Sequence, residues 1–262
     1  MRLDPEASYF MPVSVPQRPI KAGVFEDVTF ILASYETEKD AIAALLPEPF
    51  EPDDKAIVTV YYAKCPHVNF LAGHGYNMIG VDLATFFNGK QDQLRGSFGL
   101  VLWEDKMNPV TRGRELLGVP KLLAEVPDFT CQGNLWHGQA SENGNLLIDV
   151  TVGPANECSE EQVAAANDSL QENHWMCWKY IPNIDGQGAA VSQPTLIGRQ
   201  VTVNKSWEGQ GRFTYGSTTW EENQWNSDIV DALKLLPVKE YVGGVVNNGS
   251  MTITRALNRV LV

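Results

Sequence analysis

The chain has 262 residues, 44% of them apolar, enough for a sizeable core and too apolar throughout for a disordered chain. Its 32 acidic against 20 basic side chains give a net charge of −12 with no lysine or arginine cluster, which argues against nucleic acid or an anionic membrane surface as a partner. No apolar run reaches ~18 residues and the opening residues carry no apolar signal core, so the expectation is a cytoplasmic protein without a membrane span.

In chain order, residues 1–22 are rich in proline (Pro5, Pro12, Pro16, Pro19) and read as an extended arm, with one domain over 23–262. A strand is expected over 24–35 and a helix over 36–46, where Thr37 and Asp40 resemble a capping box and Pro47 and Pro49 end the run. Strands follow at 57–62, 76–87 and 97–103, with Asn88-Gly89 as a hairpin signal. Asn108-Pro109 predicts the start of a helix running to Leu117, stopped by Gly118. An extended stretch begins at Lys121, and further strands are expected near 135–137 and 146–152. Ser159 and Gln162 predict a capping box on a helix over 160–170. Strands at 175–182, 199–207 and 211–216, a short helix or loop over 227–237 and a closing stretch over 242–257 complete the pattern. Many strands with a few short helices, and no βαβ alternation, imply an α+β domain around a large antiparallel sheet or barrel.

The chemistry-bearing motifs are few. Cys65, Cys131, Cys158 and Cys177 form no CxxC pair and read as reduced thiols. His67, His74, His137 and His174 have no metal-ligand spacing, so no metal is expected. Neither a phosphate-binding glycine loop nor a GxSxG elbow is present, and no cofactor is implied. The informative segment is Gly113-Arg114-Glu115-Leu116-Leu117-Gly118-Val119-Pro120-Lys121-Leu122-Leu123. Lys121 stands alone among leucines and valine. It is either a surface lysine with a packed stem or a desolvated one, in which loss of water disfavours the ammonium and leaves free amine. A free amine condenses with a ketone to an iminium, an electron sink for bond cleavage next to the carbonyl.

This segment resembles the GRE-x-x-x-x-PK signature of the acetoacetate decarboxylase family. LLPEPFEPDD (45–54), FFNG (86–89), WKYIPNIDG (178–186) and KLLPVKEYVGG (234–244) resemble further family landmarks in family order, over about residues 20–262. The resemblance implies a double-ψ-type, cone-shaped antiparallel barrel with a few flanking helices, a Schiff-base lysine at Lys121 in an apolar cavity, and a homo-oligomer, dimer or higher. It also marks departures. Leu122 replaces the second lysine of the decarboxylases, Val28 falls where they carry an arginine, and Met78 where they carry a glutamate.

Those losses make Lys121 the one expected cation of a cavity lined by Val28, Met78, Trp103, Val119 and Leu122. Tyr76 shares a strand face with Met78, and Glu104 is the nearest replacement acid; with Lys121 they form the expected catalytic set. Arg114 and Glu115 are expected in a structural role beside it. The reading is a lyase acting on a small-molecule keto substrate larger and less polar than acetoacetate, by decarboxylation, aldol/dehydration or cyclisation, in secondary metabolism. The alternative is a non-covalent ligand-binding protein, or a cyclase or pericyclic catalyst on the same fold, without Schiff-base chemistry.

Overall fold

The computed structural model describes residues 2–18 and 20–262. Fifteen strands are joined in one sheet: β1 (Ala22–Glu36), β2 (Phe50–Pro52), β3 (Ile57–Cys65), β4 (His67–Val68), β5 (Tyr76–Asn88), β6 (Gln93–Glu104), β7 (Lys121–Leu123), β8 (Thr130–Gln132), β9 (Leu135–Glu142), β10 (Asn145–Glu157), β11 (His174–Pro182), β12 (Ala189–Ile197), β13 (Arg199–Tyr215), β14 (Glu240–Thr254) and β15 (Arg259–Val260). Four α-helices flank it: α1 (Lys39–Ala43), α2 (Met107–Arg112), α3 (Glu160–Glu172) and α4 (Gln224–Leu233).

The strand order is β15-β12-β11-β6-β5-β3-β1-β14-β13-β10-β9-β8, with β2, β4 and β7 pairing at the side onto β5, β1 and β6. Neighbours are antiparallel except for β6 with β11 and with β7. The path has two ends, so among the described residues the sheet is not a closed barrel. Instead it curls over itself, bringing β10 against β1 and β3, and β9 against β5.

That curl buries the central strands on both faces, and their period of two sorts the side chains into two cores. Val58, Val60 and Tyr62 of β3, Ile79, Val81 and Leu83 of β5, and Val101 and Trp103 of β6 face the larger core. The alternate residues Tyr61, Ala63, Tyr76, Met78 and Leu102 face a smaller one, joined by Phe25, Val28, Val119 and Trp175.

Several local expectations change. Thr37 and Asp40 do not form a capping box. The helix starts at Lys39 after an uncapped Glu38 and has only five residues, because Glu36 is still held in β1 by pairing with Ile57 and Glu240. Helix α2 begins at Met107, which places Asn108 inside it rather than at its cap, and it continues as a π-type turn over Gly113–Leu117. The β5–β6 hairpin closes through residues 89–92 rather than a two-residue Asn88-Gly89 turn; Gln91 and Asp92 donate backbone hydrogen bonds to the Val262 carbonyl. The strands expected at 199–207 and 211–216 are one, β13, bulged between Val203 and Lys205. The Ser159–Gln162 capping box of α3 is present. Cys65 and Cys177 are buried thiols, Cys131 is exposed, and none is in a disulfide. Among the described residues no helix is long and apolar enough to cross a membrane.

Asp82 of β5 faces the smaller core, where Trp175 Nε1 donates to its Oδ1 at 3.4 Å and the Arg199 guanidinium lies 4.7 Å from the centre of the Trp175 ring. Burial pushes its carboxyl up from 3.8 to about 6, against the opposing charge of Arg199. A raised folded-state value means the protonated form is favoured by folding. Its contribution is therefore full below about pH 4 and is lost as pH rises to about 6, at most about 3 kcal/mol over two units. Asp82→Asn keeps the shape and removes the titration. In denaturant unfolding, wild-type stability relative to Asp82→Asn is expected to fall between pH 4 and 6; parallel pH profiles would refute the burial account.

Candidate active site

The parallel pairing of β6 with β7 sets Leu102 opposite Lys121, Trp103 opposite Leu122 and Glu104 opposite Leu123. Lys121 thus leans to the same face as Leu102 and Glu104. On the other side of β6, Met78 of β5 pairs with Glu104, and Tyr76 lies two residues along on the same face. Three strands therefore deliver Tyr76, Glu104 and Lys121 to one place.

The approach of β7 is fixed by the turn before it. Gly118 has φ +78° and its α-carbon faces Lys179 so closely that an added Cβ would lie 2.3 Å from the Lys179 Cβ, so only glycine fits. The chain then runs through Val119 and Pro120, whose carbonyl accepts from the Leu102 N–H at 3.0 Å, and Arg114 Nη1 donates to the Lys121 carbonyl at 2.9 Å. Arg114 thereby holds the backbone of the lysine. Glu115 is half-buried and has no side-chain hydrogen bond or ion pair among the described contacts.

Lys121 is 8% exposed. Its Nζ lies 2.7 Å from Glu104 Oε1 and donates to the Pro109 carbonyl of α2 at 3.2 Å. It also sits 5.9 Å from the centre of the Tyr76 ring. Glu104 is fully buried, and its approach to Nζ is a charge contact off the angles of an aligned hydrogen bond; its Oε2 has no partner among the described residues. Burial raises the Glu104 carboxyl above its ordinary range, with the Lys121 charge pulling it back. Burial likewise holds the Tyr76 phenol well above its usual value, so it stays protonated.

A pocket of about 90 Å³ opens onto this group, room for about three waters at about 30 Å³ each. Phe25, Phe70, Tyr76, Leu117 and Ile253 give it an apolar wall. A second cavity of about 240 Å³ shares Leu116, Leu117, Arg255 and Asn258 with it and reaches Lys179 and Arg259.

Of the residues singled out by sequence, Lys121 and Tyr76 line the pocket and Glu104 touches Lys121. Val28, Met78 and Val119 are buried in the smaller core behind it. Trp103 and Leu122 point the other way: the strand alternation that brings Glu104 and Lys121 to the site turns both into the larger core, where Trp103 Nε1 donates to Asn226 Oδ1 at 2.8 Å. The expectation of a single cation also fails, because Arg112 and Arg255 line the same pocket. Arg112 was overshadowed in the sequence by its neighbours Arg114 and Glu115, and nothing local marks Arg255. Phe25, Phe70 and Gly113 were also missed.

The acetoacetate decarboxylase (ADC) family model matches residues 10–259, and the chain belongs to that family. Acetoacetate decarboxylase 2 of Mesorhizobium japonicum is 24% identical over 255 residues, 97% of this chain and 88% of the relative. The structure of acetoacetate decarboxylase from Legionella pneumophila matches with a TM-score of 0.75 at 21% identity, over 96% of this chain and 93% of that one. The enduracididine biosynthesis enzyme MppR, complexed with pyruvate, matches with a TM-score of 0.68 at 15% identity, over 96% and 95%. These structural likenesses are likenesses of fold.

Gly113 gives a direct handle on the lysine. A Cβ there would lie 2.4 Å from Lys121 Cδ and 2.5 Å from Cε, so the flexible lysine must move rather than the backbone. Gly113→Ala is expected to fold, with Nζ displaced from Glu104 and Pro109. Labelling of Lys121 by an amine reagent checks this: the pattern should differ from wild type at an unfolding midpoint within a few degrees, and an identical pattern would refute the packing.

Proposed function

We propose that this chain is an acetoacetate decarboxylase-like enzyme that forms a Schiff base between Lys121 Nζ and a small-molecule keto substrate. The observation that carries this reading is the buried pair of Lys121 with Glu104, opening on an apolar pocket. A surface lysine has no need of a fully buried carboxylate 2.7 Å away. Glu104 can take one ammonium proton, leaving a free amine whose lone pair adds to the carbonyl carbon. One of the two protons left on the nitrogen moves to the alkoxide, the proton held by Glu104 then passes to the resulting hydroxyl, and the C–O bond breaks to release water as the nitrogen lone pair forms the iminium. The iminium carries the positive charge of the ammonium it replaces, so Glu104, a carboxylate again once it has given up the proton, is paired in the product as in the free enzyme. In this reading Tyr76, kept protonated by burial and with its ring 5.9 Å from the amine, is the donor to the carbonyl oxygen.

The wall of Phe25, Phe70, Leu117 and Ile253 favours a substrate with an apolar body, and the adjoining cavity gives room for one longer than acetoacetate. The iminium then acts as electron sink for cleavage or formation of a bond next to the carbonyl, as in a lyase. That a protein of this fold is complexed with pyruvate accords with a small keto acid as ligand.

Borohydride reduction in the presence of candidate ketones, followed by mass spectrometry, tests the proposal. A reduced adduct is expected on the peptide carrying Lys121, lost in both Lys121→Ala and Lys121→Arg. No adduct with any ketone, or full activity in either variant, would retire the Schiff base in favour of non-covalent catalysis or binding.

A further inference from the structure

Arg112 and Arg255 are two cations on the wall of one pocket, and neither has an ion-pair partner among the described residues. Their contacts are neutral and come largely from the N-terminal arm. The Arg112 guanidinium carbon lies 5.2 Å from the centre of the Phe10 ring and 5.8 Å from that of Phe70, both within cation–π range, and Gln17 Oε1 accepts from its Nη1 at 3.5 Å. Ser8 Oγ accepts from Arg255 Nη2 at 2.7 Å. These cation–π contacts use none of the guanidinium N–H donors, and one hydrogen bond to Gln17 leaves others of Arg112 open. Burial and then the neighbouring Arg255 charge hold Arg112 below its ordinary value, a repulsion that an anion between the two would relieve.

We infer that Arg112 and Arg255 form a clamp for a substrate carboxylate that stays on the substrate, so that the ligand of this pocket is a keto acid whose carboxylate is not the leaving group. The inference rests on the Schiff-base reading of Lys121. The carboxylate meets guanidinium donors at the arm side of the pocket while the ketone meets Nζ. Loss of CO2 would drain charge from the carboxylate toward the iminium, so cations on that carboxylate stabilise the ground state more than the transition state and oppose decarboxylation. Removal of an α-proton leaves the clamped charge where it is. The α C–H bond breaks, its electron pair neutralises the iminium as an enamine, and the proton passes to the Glu104 carboxylate, whose Oε2 is free to accept it.

The test uses the full chain with pyruvate, acetoacetate and levulinate and the methyl ester of each, trapped with borohydride and read on the Lys121 peptide. At least one acid is expected to label at roughly 10–100-fold lower concentration than its ester, the span expected of a charge-assisted contact. Arg112→Gln and Arg255→Gln should each bring that ratio close to one, and Arg112→Lys and Arg255→Lys, which keep the charge and the stem, should restore part of it. In D2O the preferred acid should exchange its α-hydrogens faster than it releases CO2. Equal labelling by acids and esters in wild type, a ratio unchanged in both glutamine variants, or CO2 release outpacing exchange would overturn the clamp. Labelling by esters without an acid preference refutes the clamp and leaves the Schiff base standing. If no ketone labels Lys121, the Schiff base fails, and calorimetric titration of butyrate decides the clamp: binding weakened about tenfold in both glutamine variants supports it, and binding that is absent or equal in all three proteins overturns it.

Discussion

The contact on which the site depends is the buried ion pair of Lys121 and Glu104. Two charges removed from water cost more than their mutual attraction returns unless other groups satisfy them, and removing one partner leaves an uncompensated charge that costs several kcal/mol. Here the ammonium donates to the Pro109 carbonyl, while Glu104 has only the charge contact at Oε1 and no partner at Oε2. A pair satisfied on the lysine side and unsatisfied on the carboxylate side is poor as a structural staple. It suits a proton relay, in which the free lone pair is where the next proton arrives.

The geometry behind the pair is a property of the sheet rather than of the two residues. Central strands buried on both faces must place every second side chain in each core, so a one-residue slip of β7 against β6 would bury Leu122 toward the pocket and swing Lys121 into the larger core. The left-handed Gly118, the N–H of Leu102 on the Pro120 carbonyl and the grip of Arg114 on the Lys121 carbonyl all oppose that slip. Arg114 thus contributes to the chemistry through register, without lining the pocket.

How far the sequence displayed this follows from the range of the interactions. Strands β5 and β6, the stop at Gly118 and the capping box at Ser159 are set by neighbours a few residues away and were legible. Lys121 was legible through its place in the GRE-x-x-x-x-PK resemblance, since the contrast of a cation among leucines alone left a surface position open, and Glu104 because it directly follows the strand-like run 97–103 just before the signature. The opposite orientation of Trp103 and Leu122 was not, since it depends on which face of β6 is turned to the site, and that is decided by the curl of the whole sheet. Arg255 was invisible for the same reason: it follows β14 and reaches the pocket only because β14 pairs with β1 at Ala22. The length of α1 was misjudged because pairing of Glu36 with two strands overrode local helix signals.

The net charge of −12 takes on a different meaning once the pocket is drawn. A strongly acidic protein repels an anionic ligand at long range, but charges on the exposed surface are screened beyond about 8–10 Å at physiological salt. Inside the pocket the relevant charges are few: Lys121 is neutralised by Glu104, and Arg112 and Arg255 have no acidic partner among the described residues. The apolar wall strengthens the field of the half-buried Arg112, while the exposed Arg255 still meets solvent at the pocket rim. The acidity of the chain therefore governs its surface, while the sign of its pocket is set by two arginines that the arm covers with a phenylalanine, a glutamine and a serine, none of which cancels their charge.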